Sequence, residues 1–201
     1  NEDVKDKIIK LSKEKKVNMI VGGPPCQGYS LKGKKLGLAD SRNFLFREYL
    51  NIVKKLQPEI FVIENVKGLL ISSNGWFKNE IIQSISDMDY YVEYGILNAA
   101  DFGVPQSRER AFFLCSKNVP IKLPAPKNIN RVTVRDAISD LSYLNSGEGE
   151  FEQDYVHRAE STYQQLMRKD SKKLYNHKAS NHKEIAIEKL KLIPPEKGKE
   201  C

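Results

Sequence analysis

No run of apolar residues approaches the roughly 20 needed to cross a bilayer. The longest, such as Ile60 to Ile63 and Ala111 to Cys115, end after a handful of residues. The amino end, Asn1 through Lys16, is charged throughout and lacks the apolar stretch and small-residue cleavage site of a secretory signal. Cysteine is scarce: Cys26, Cys115 and Cys201 are far apart, and none belongs to a C-x-x-C pair. These absences predict a reducing, intracellular compartment, no structural disulfide and no clustered metal site. Internal repeats and low-complexity tracts are also missing. What the chain has is length for one sizeable core plus an appendage, at 201 residues, and a basic excess of 33 over 26 that gives a net charge of +7. That excess draws it toward polyanions or acidic surfaces without naming one.

Val4, Ile8 and Leu11 recur at helical spacing among charges and predict an exposed amphipathic helix over residues 2–16. Met19-Ile20-Val21 reads as a buried strand that ends abruptly in Gly22-Gly23-Pro24-Pro25. Residues 30–40 are loop-like, and Leu45, Tyr49, Ile52, Val53 and Leu56 predict a helix closed by Pro58. Ile60 to Ile63 is a second buried strand, ending in Glu64-Asn65. Trp76, Ile81, Ile82 and Ile85 restore helical spacing, and extended stretches follow at 90–97 and 110–115. Strand and helix alternating in this way build a parallel sheet flanked by helices, and the last extended pair is compatible with an antiparallel edge. Prolines at 120, 124 and 126 mark a change of texture, with a domain boundary expected near Pro126: residues 1–126, then 127–201. In the second part, 134–141 suits a short helix and 144–154 reads as polar loop.

Three places carry candidate chemistry. Cys26 follows a strand end and two prolines, and ligands of open parallel sheets bind beyond the carboxyl ends of strands. An ordinary thiol, with a pKa of about 8.5, is only roughly 10% ionised in the cytosol, so a nucleophile there needs cationic help. The plain alternative is a small residue in a tight turn. Glu64 and Asn65 end the neighbouring strand, where a carboxyl in apolar surroundings makes a usable general acid. A cap for the following helix is the alternative for Glu64. Arg108 and Arg110, in Gln106-Ser107-Arg108-Glu109-Arg110, occupy alternate positions of an extended segment and so share a face suited to planar acceptors or phosphate. Surface ion pairing would also account for them.

Taken together and in this order, Pro24-Pro25-Cys26-Gln27, Glu64-Asn65-Val66 and the Q-x-R-x-R segment resemble the cytosine-5 DNA methyltransferase family of bacterial restriction-modification type. The resemblance is dense from Asn18 to Cys115. It implies a Rossmann-like α/β sheet of the S-adenosylmethionine-dependent methyltransferases, followed by the start of a smaller target-recognition region. It implies that Cys26 adds to carbon 6 of a flipped-out cytosine in double-stranded DNA, that carbon 5 then takes a methyl group from S-adenosylmethionine, and that Glu64 protonates the ring nitrogen. Arg108 would bind the cytosine carbonyl, Arg110 would orient the nucleotide, and Asn65 would help to hold Glu64. Gln27 and Ser30 would lie on the loop closing over DNA, with Pro25 and Leu45 touching the cofactor. A monomer in the bacterial cytoplasm, paired with a cognate restriction endonuclease, completes the implied picture.

Residues 132–141, Asn176-His177 and His182 look like the lead-in to the target-recognition region of many bacterial members. The family's F-x-G-x-G segment and closing carboxyl-terminal motifs have no counterpart here, and an internal fragment of a longer enzyme is expected. A transfer RNA methyltransferase with a similar nucleophile loop, and a non-catalytic DNA-binding relative, are the competing readings. Gly28-Tyr29-Ser30 after Pro25-Cys26-Gln27 looks more like the DNA enzymes.

Overall fold

The computed structural model describes residues 2–25, 45–126 and 130–194. The chain divides into two compact units, 1–130 and 131–201. In the first, strands β1 (Met19–Gly22), β2 (Ile60–Val66), β3 (Tyr91–Asn98) and β4 (Glu109–Ser116) form one sheet in the order β1-β2-β4-β3. β1 and β2 are parallel, whereas β4 runs antiparallel to both β2 and β3. The reversed strand therefore sits inside the sheet, and β3 forms its outer edge among the described residues. The link from β3 to β4 is short, a single 3-10 turn at Ala99–Phe102 and a few residues more, and such a link can only return the chain antiparallel beside the strand it left.

Helices α1 (Glu2–Glu14), α2 (Leu45–Leu56), α3 (Gly68–Ile71) and α4 (Trp76–Ser86) complete this unit. The core follows from the two-residue period of the strands. Phe61, Ile63 and Asn65 of β2 stand opposite Cys115, Phe113 and Ala111 of β4, and all six are buried. Packed on that face are Phe46, Leu50 and Val53 of α2 and Phe77, Ile81 and Ile85 of α4, each set spaced to make one helix stripe. Edge-to-face ring contacts join Phe46 to Phe77 at 6.4 Å and Phe61 to Tyr90 at 5.0 Å. The Tyr90 hydroxyl donates to the Pro58 carbonyl and so ties down the start of β2.

β1 departs from the expected buried strand, since Met19 and Val21 are 50% and 67% exposed. Val21 pairs with Val62, and the two side chains share the sheet face opposite the packed helices. α1 forms as the exposed helix expected; Val4, Ile8 and Leu11 are exposed, and Ile9 is buried. Ion pairs from Lys5 to Glu48 and from Asp6 to Lys55 join α1 to α2.

In the second unit, α5 (Val134–Ile138) and α6 (Thr162–Arg168) each begin with a capping box, on Thr133 with Asp136 and on Ser161 with Gln164. The stretch expected to be polar loop contains β5 (Gly149–Gln153), which pairs antiparallel with β6 (Leu174–Lys178). Its composition, with Phe151 the one large apolar residue, hid it, because main-chain pairing to β6 and not burial holds it. His177 is bracketed by the Gln153 amide at 2.8 Å and the Leu141 carbonyl at 2.9 Å. Gln153 as donor assigns the ring proton to Nε2. α7 (Glu184–Lys191) follows. No described helix is long and apolar enough to cross a membrane.

Phe61→Ala is expected to cost about 3–5 kcal/mol in urea unfolding, the range for emptying a buried aromatic site. Met19→Ala, at a half-exposed site, should leave the midpoint nearly unchanged.

Candidate active site

The sheet face that the helices leave open carries a cleft of about 480 Å³. That volume falls within the ~300–1,000 Å³ typical of small-molecule sites. Val62, Phe112 and Leu114 supply an apolar floor, and Glu64, Arg108 and Arg110 bring charge to one end. The placement is a matter of register. Arg110 stands opposite Val66, hence diagonal to Glu64 on the same face, and its Nε forms an ion pair with Glu64 Oε1 at 3.0 Å. Arg108 lies just ahead of β4, where its backbone N–H donates to Asn98 Oδ1 at 3.1 Å. That same oxygen accepts from the Ala100 N–H, so one amide side chain fixes both ends of the β3–β4 connection.

Asn65 points to the other face and is buried. Its Nδ2 donates to the Pro24 carbonyl at 2.9 Å, and its Oδ1 accepts from the Val66 N–H. The end of β2 is thereby bonded to the segment leading into Cys26. A second contact links the same two segments. A Cβ on Gly23 would lie 3.1 Å from Glu64 Oε2, so the missing side chain lets the carboxylate approach that backbone.

The structure thus brings Glu64, Arg108 and Arg110 into one cleft, with Asn65 bonded to Pro24 beside it. Cys26, Gln27 and Ser30 lie outside the described residues. Pro25 is exposed and Leu45, the first residue of α2, is 37% exposed; neither lines the cleft. Two expectations change. Glu64 belongs to β2 itself and does not cap the next helix, whose N-cap position is Lys67. Nor is its carboxyl secluded among apolar groups: its side chain is 36% exposed and paired with Arg110, because the charge-bearing face of β2 is the open one. The sequence reading also passed over Tyr49, Gly22 and Gly23 as functional positions. The glycines announced a turn, but what their hydrogens make room for becomes visible only in three dimensions.

The model of the C-5 cytosine-specific DNA methylases matches residues 1–198. The chain belongs to that family. It is 41% identical over 187 residues to the Type II methyltransferase M.DdeI of Desulfomicrobium norvegicum, covering 88% of this chain and 45% of that protein. It is 35% identical over 191 residues to the Type II methyltransferase M1.HphI of Haemophilus parahaemolyticus, covering 94% and 45%. The chain thus spans a little under half the length of these relatives. A crystal structure of a DNA modification methyltransferase encoded within an E. coli prophage superposes with a TM-score of 0.72 at 25% identity, covering 93% of this chain and 59% of the other. The sheet is that of the S-adenosylmethionine-dependent methyltransferases.

Cys115 is a thiol of a different kind from a surface nucleophile. It is fully buried in the core, and burial pushes it up to about 12. Iodoacetamide at pH 8 should leave Cys115 unmodified in the folded protein and label it after denaturation, as read by peptide mass spectrometry.

Proposed function

We propose that the enzyme containing this chain methylates carbon 5 of cytosine in duplex DNA, through a covalent adduct on Cys26. The observation that carries the reading is the meeting of Glu64, Arg108 and Arg110 in one cleft, with Asn65 bonded to Pro24, two residues before Cys26. Membership of the family gives the chemical direction. A ring carbon within a stacked pair is out of reach, so the target base is turned out of the helix at a cost of a few kcal/mol.

The Cys26 thiolate forms a bond to carbon 6, and the electron pair released from the ring double bond makes carbon 5 a nucleophile. Charge that would build on the ring is met by a proton delivered to the ring nitrogen from Glu64. Arg108 donates to the cytosine carbonyl, the electrostatic part of the catalysis. Arg110, held against Glu64, orients that carboxyl group and lies within the nucleotide's reach. After methylation, the ring-nitrogen proton returns to the Glu64 carboxylate, and loss of the carbon 5 proton to water restores the double bond and expels the Cys26 thiolate. Gln27 and Ser30 belong to the loop that covers the duplex.

S-adenosylmethionine, when bound, supplies an electrophilic methyl group. What Pro25 and Leu45 offer it is exposed apolar surface, Pro25 having no N–H, which suits the apolar parts of that molecule. Its amino-acid and ribose groups need partners from elsewhere in the enzyme. The named relatives are Type II methyltransferases, and we assign this enzyme the form of a monomer in the bacterial cytoplasm whose product is shielded from a cognate restriction endonuclease.

The test gives the intact enzyme S-adenosylmethionine and a duplex bearing 5-fluorocytosine, whose fluorine cannot leave as a proton. A covalent complex should accumulate and disappear with Cys26→Ser; no complex, or one that survives the substitution, removes the mechanism. Glu64→Gln should slow adduct formation by about 10²-fold or more, the usual worth of a general acid, with duplex binding retained. Loss of folding instead would mean that Glu64 is structural.

A further inference from the structure

We infer that Tyr49 is a positioning residue that fixes the spacing between Glu64 and the residues leading to Cys26, with Gly22 shaped to receive its ring. The inference rests on the function proposed above and concerns a residue that does not line the cleft. Tyr49 lies on the buried stripe of α2 with Phe46, Leu50 and Val53, but its hydroxyl reaches through to the sheet. It lies 2.9 Å from the Val62 carbonyl and 3.3 Å from the Ile20 carbonyl. Those carbonyls belong to neighbouring parallel strands. Each lies two residues before a position that matters: Glu64 on β2, and Gly22 at the end of β1, where the chain turns toward Cys26.

Burial raises the Tyr49 hydroxyl well above its ordinary value, so it stays a hydrogen donor at any working pH. One proton facing two carbonyls fixes the strand ends relative to a single point on α2. The ring completes the contact. A Cβ on Gly22 would lie 2.4 Å from Tyr49 Cε2 and 2.8 Å from Cδ2, distances that exclude any side chain while the ring is there. The next residue, Gly23, meets the Glu64 carboxylate, and the next, Pro24, accepts from Asn65. Three successive residues leading to Cys26 are thus each in contact with a group on α2 or β2, and Tyr49 is the outermost of these contacts and the one built from a helix.

A matched control exists at the far end of β2. Tyr90 is buried where Tyr49 is partly buried, and its hydroxyl also donates to a backbone carbonyl, that of Pro58, but away from the cleft. The experiment compares Tyr49→Phe and Tyr90→Phe in the intact enzyme, measuring three quantities: the thermal midpoint, the duplex Kd, and the single-turnover rate of adduct formation on 5-fluorocytosine duplex at saturating cofactor. Both substitutions should lower the midpoint by similar small amounts. Tyr49→Phe alone should slow adduct formation, by about tenfold, as expected for sub-ångström misplacement of reacting groups, with Kd unchanged.

Gly22→Ala should slow it further, and Tyr49→Ala in the same protein should recover part of that loss by vacating the shared volume. If Gly22→Ala does not fold, the two tyrosine variants still decide the matter. Equal rates for the wild type, Tyr49→Phe and Tyr90→Phe would overturn the inference while leaving the Cys26 mechanism intact. A slowed rate in both tyrosine variants would overturn it as well, by reducing Tyr49 to a stabilising contact. A wild-type enzyme that forms no Cys26 adduct would instead remove the proposed function, and the positioning role with it.

Discussion

The constraint on which the rest depends is the two-residue alternation of β2 and β4. Because the paired strands hold Phe61, Ile63, Ala111, Phe113 and Cys115 against α2 and α4, the intervening residues have no choice but to face the open side. Glu64 and Arg110 reach the same cleft for that reason and no other. Hydrophobic burial on one surface fixes the register, and the register aligns the polar groups on the opposite surface. A slip by one residue would bury a carboxylate and a guanidinium in the core, which makes the arrangement energetically unambiguous.

How much of this was legible beforehand varies by element. α2 and α4 were legible through helical spacing and β2 through its apolar run, although the residues α2 buries are Phe46, Leu50 and Val53, of which the stripe read from the sequence contained only Val53. The common face of Arg108 and Arg110 followed from their spacing alone. Other features depend on partners distant in the chain. β4's place between β2 and β3 is decided by pairing, and nothing local in Glu109–Ser116 specifies it. β5 was missed because a two-stranded ribbon needs little apolar content. In α1 the helical spacing of Val4, Ile8 and Leu11 was legible, but not that the residue packed inward would be Ile9.

Within the candidate site, residue types were readable and their connections were not. Glu64 stood out as a carboxylate at a strand end, but its pairing with Arg110 required the β2–β4 register. Asn65 looked like a helper to its neighbour and turned out to bond the Pro24 carbonyl on another strand's exit. Tyr49 carried no signal beyond helical spacing, since its hydroxyl matters through two backbone carbonyls that no sequence pattern displays. Backbone acceptors are the same at every position, so a side chain that uses them leaves no partner residue to find.

The reversal of β4 has one more effect. Parallel strands deliver their last residues to the ligand-binding rim, so whatever they contribute there is followed by the loops that vary most. An inverted strand delivers its first residues, and the Arg110 of this one is backed by the whole hydrogen-bonded length of Glu109–Ser116. The guanidinium of Arg110 is consequently mounted on a beam anchored at its far end, so the positive charge at this rim is carried by paired backbone and not by a loop.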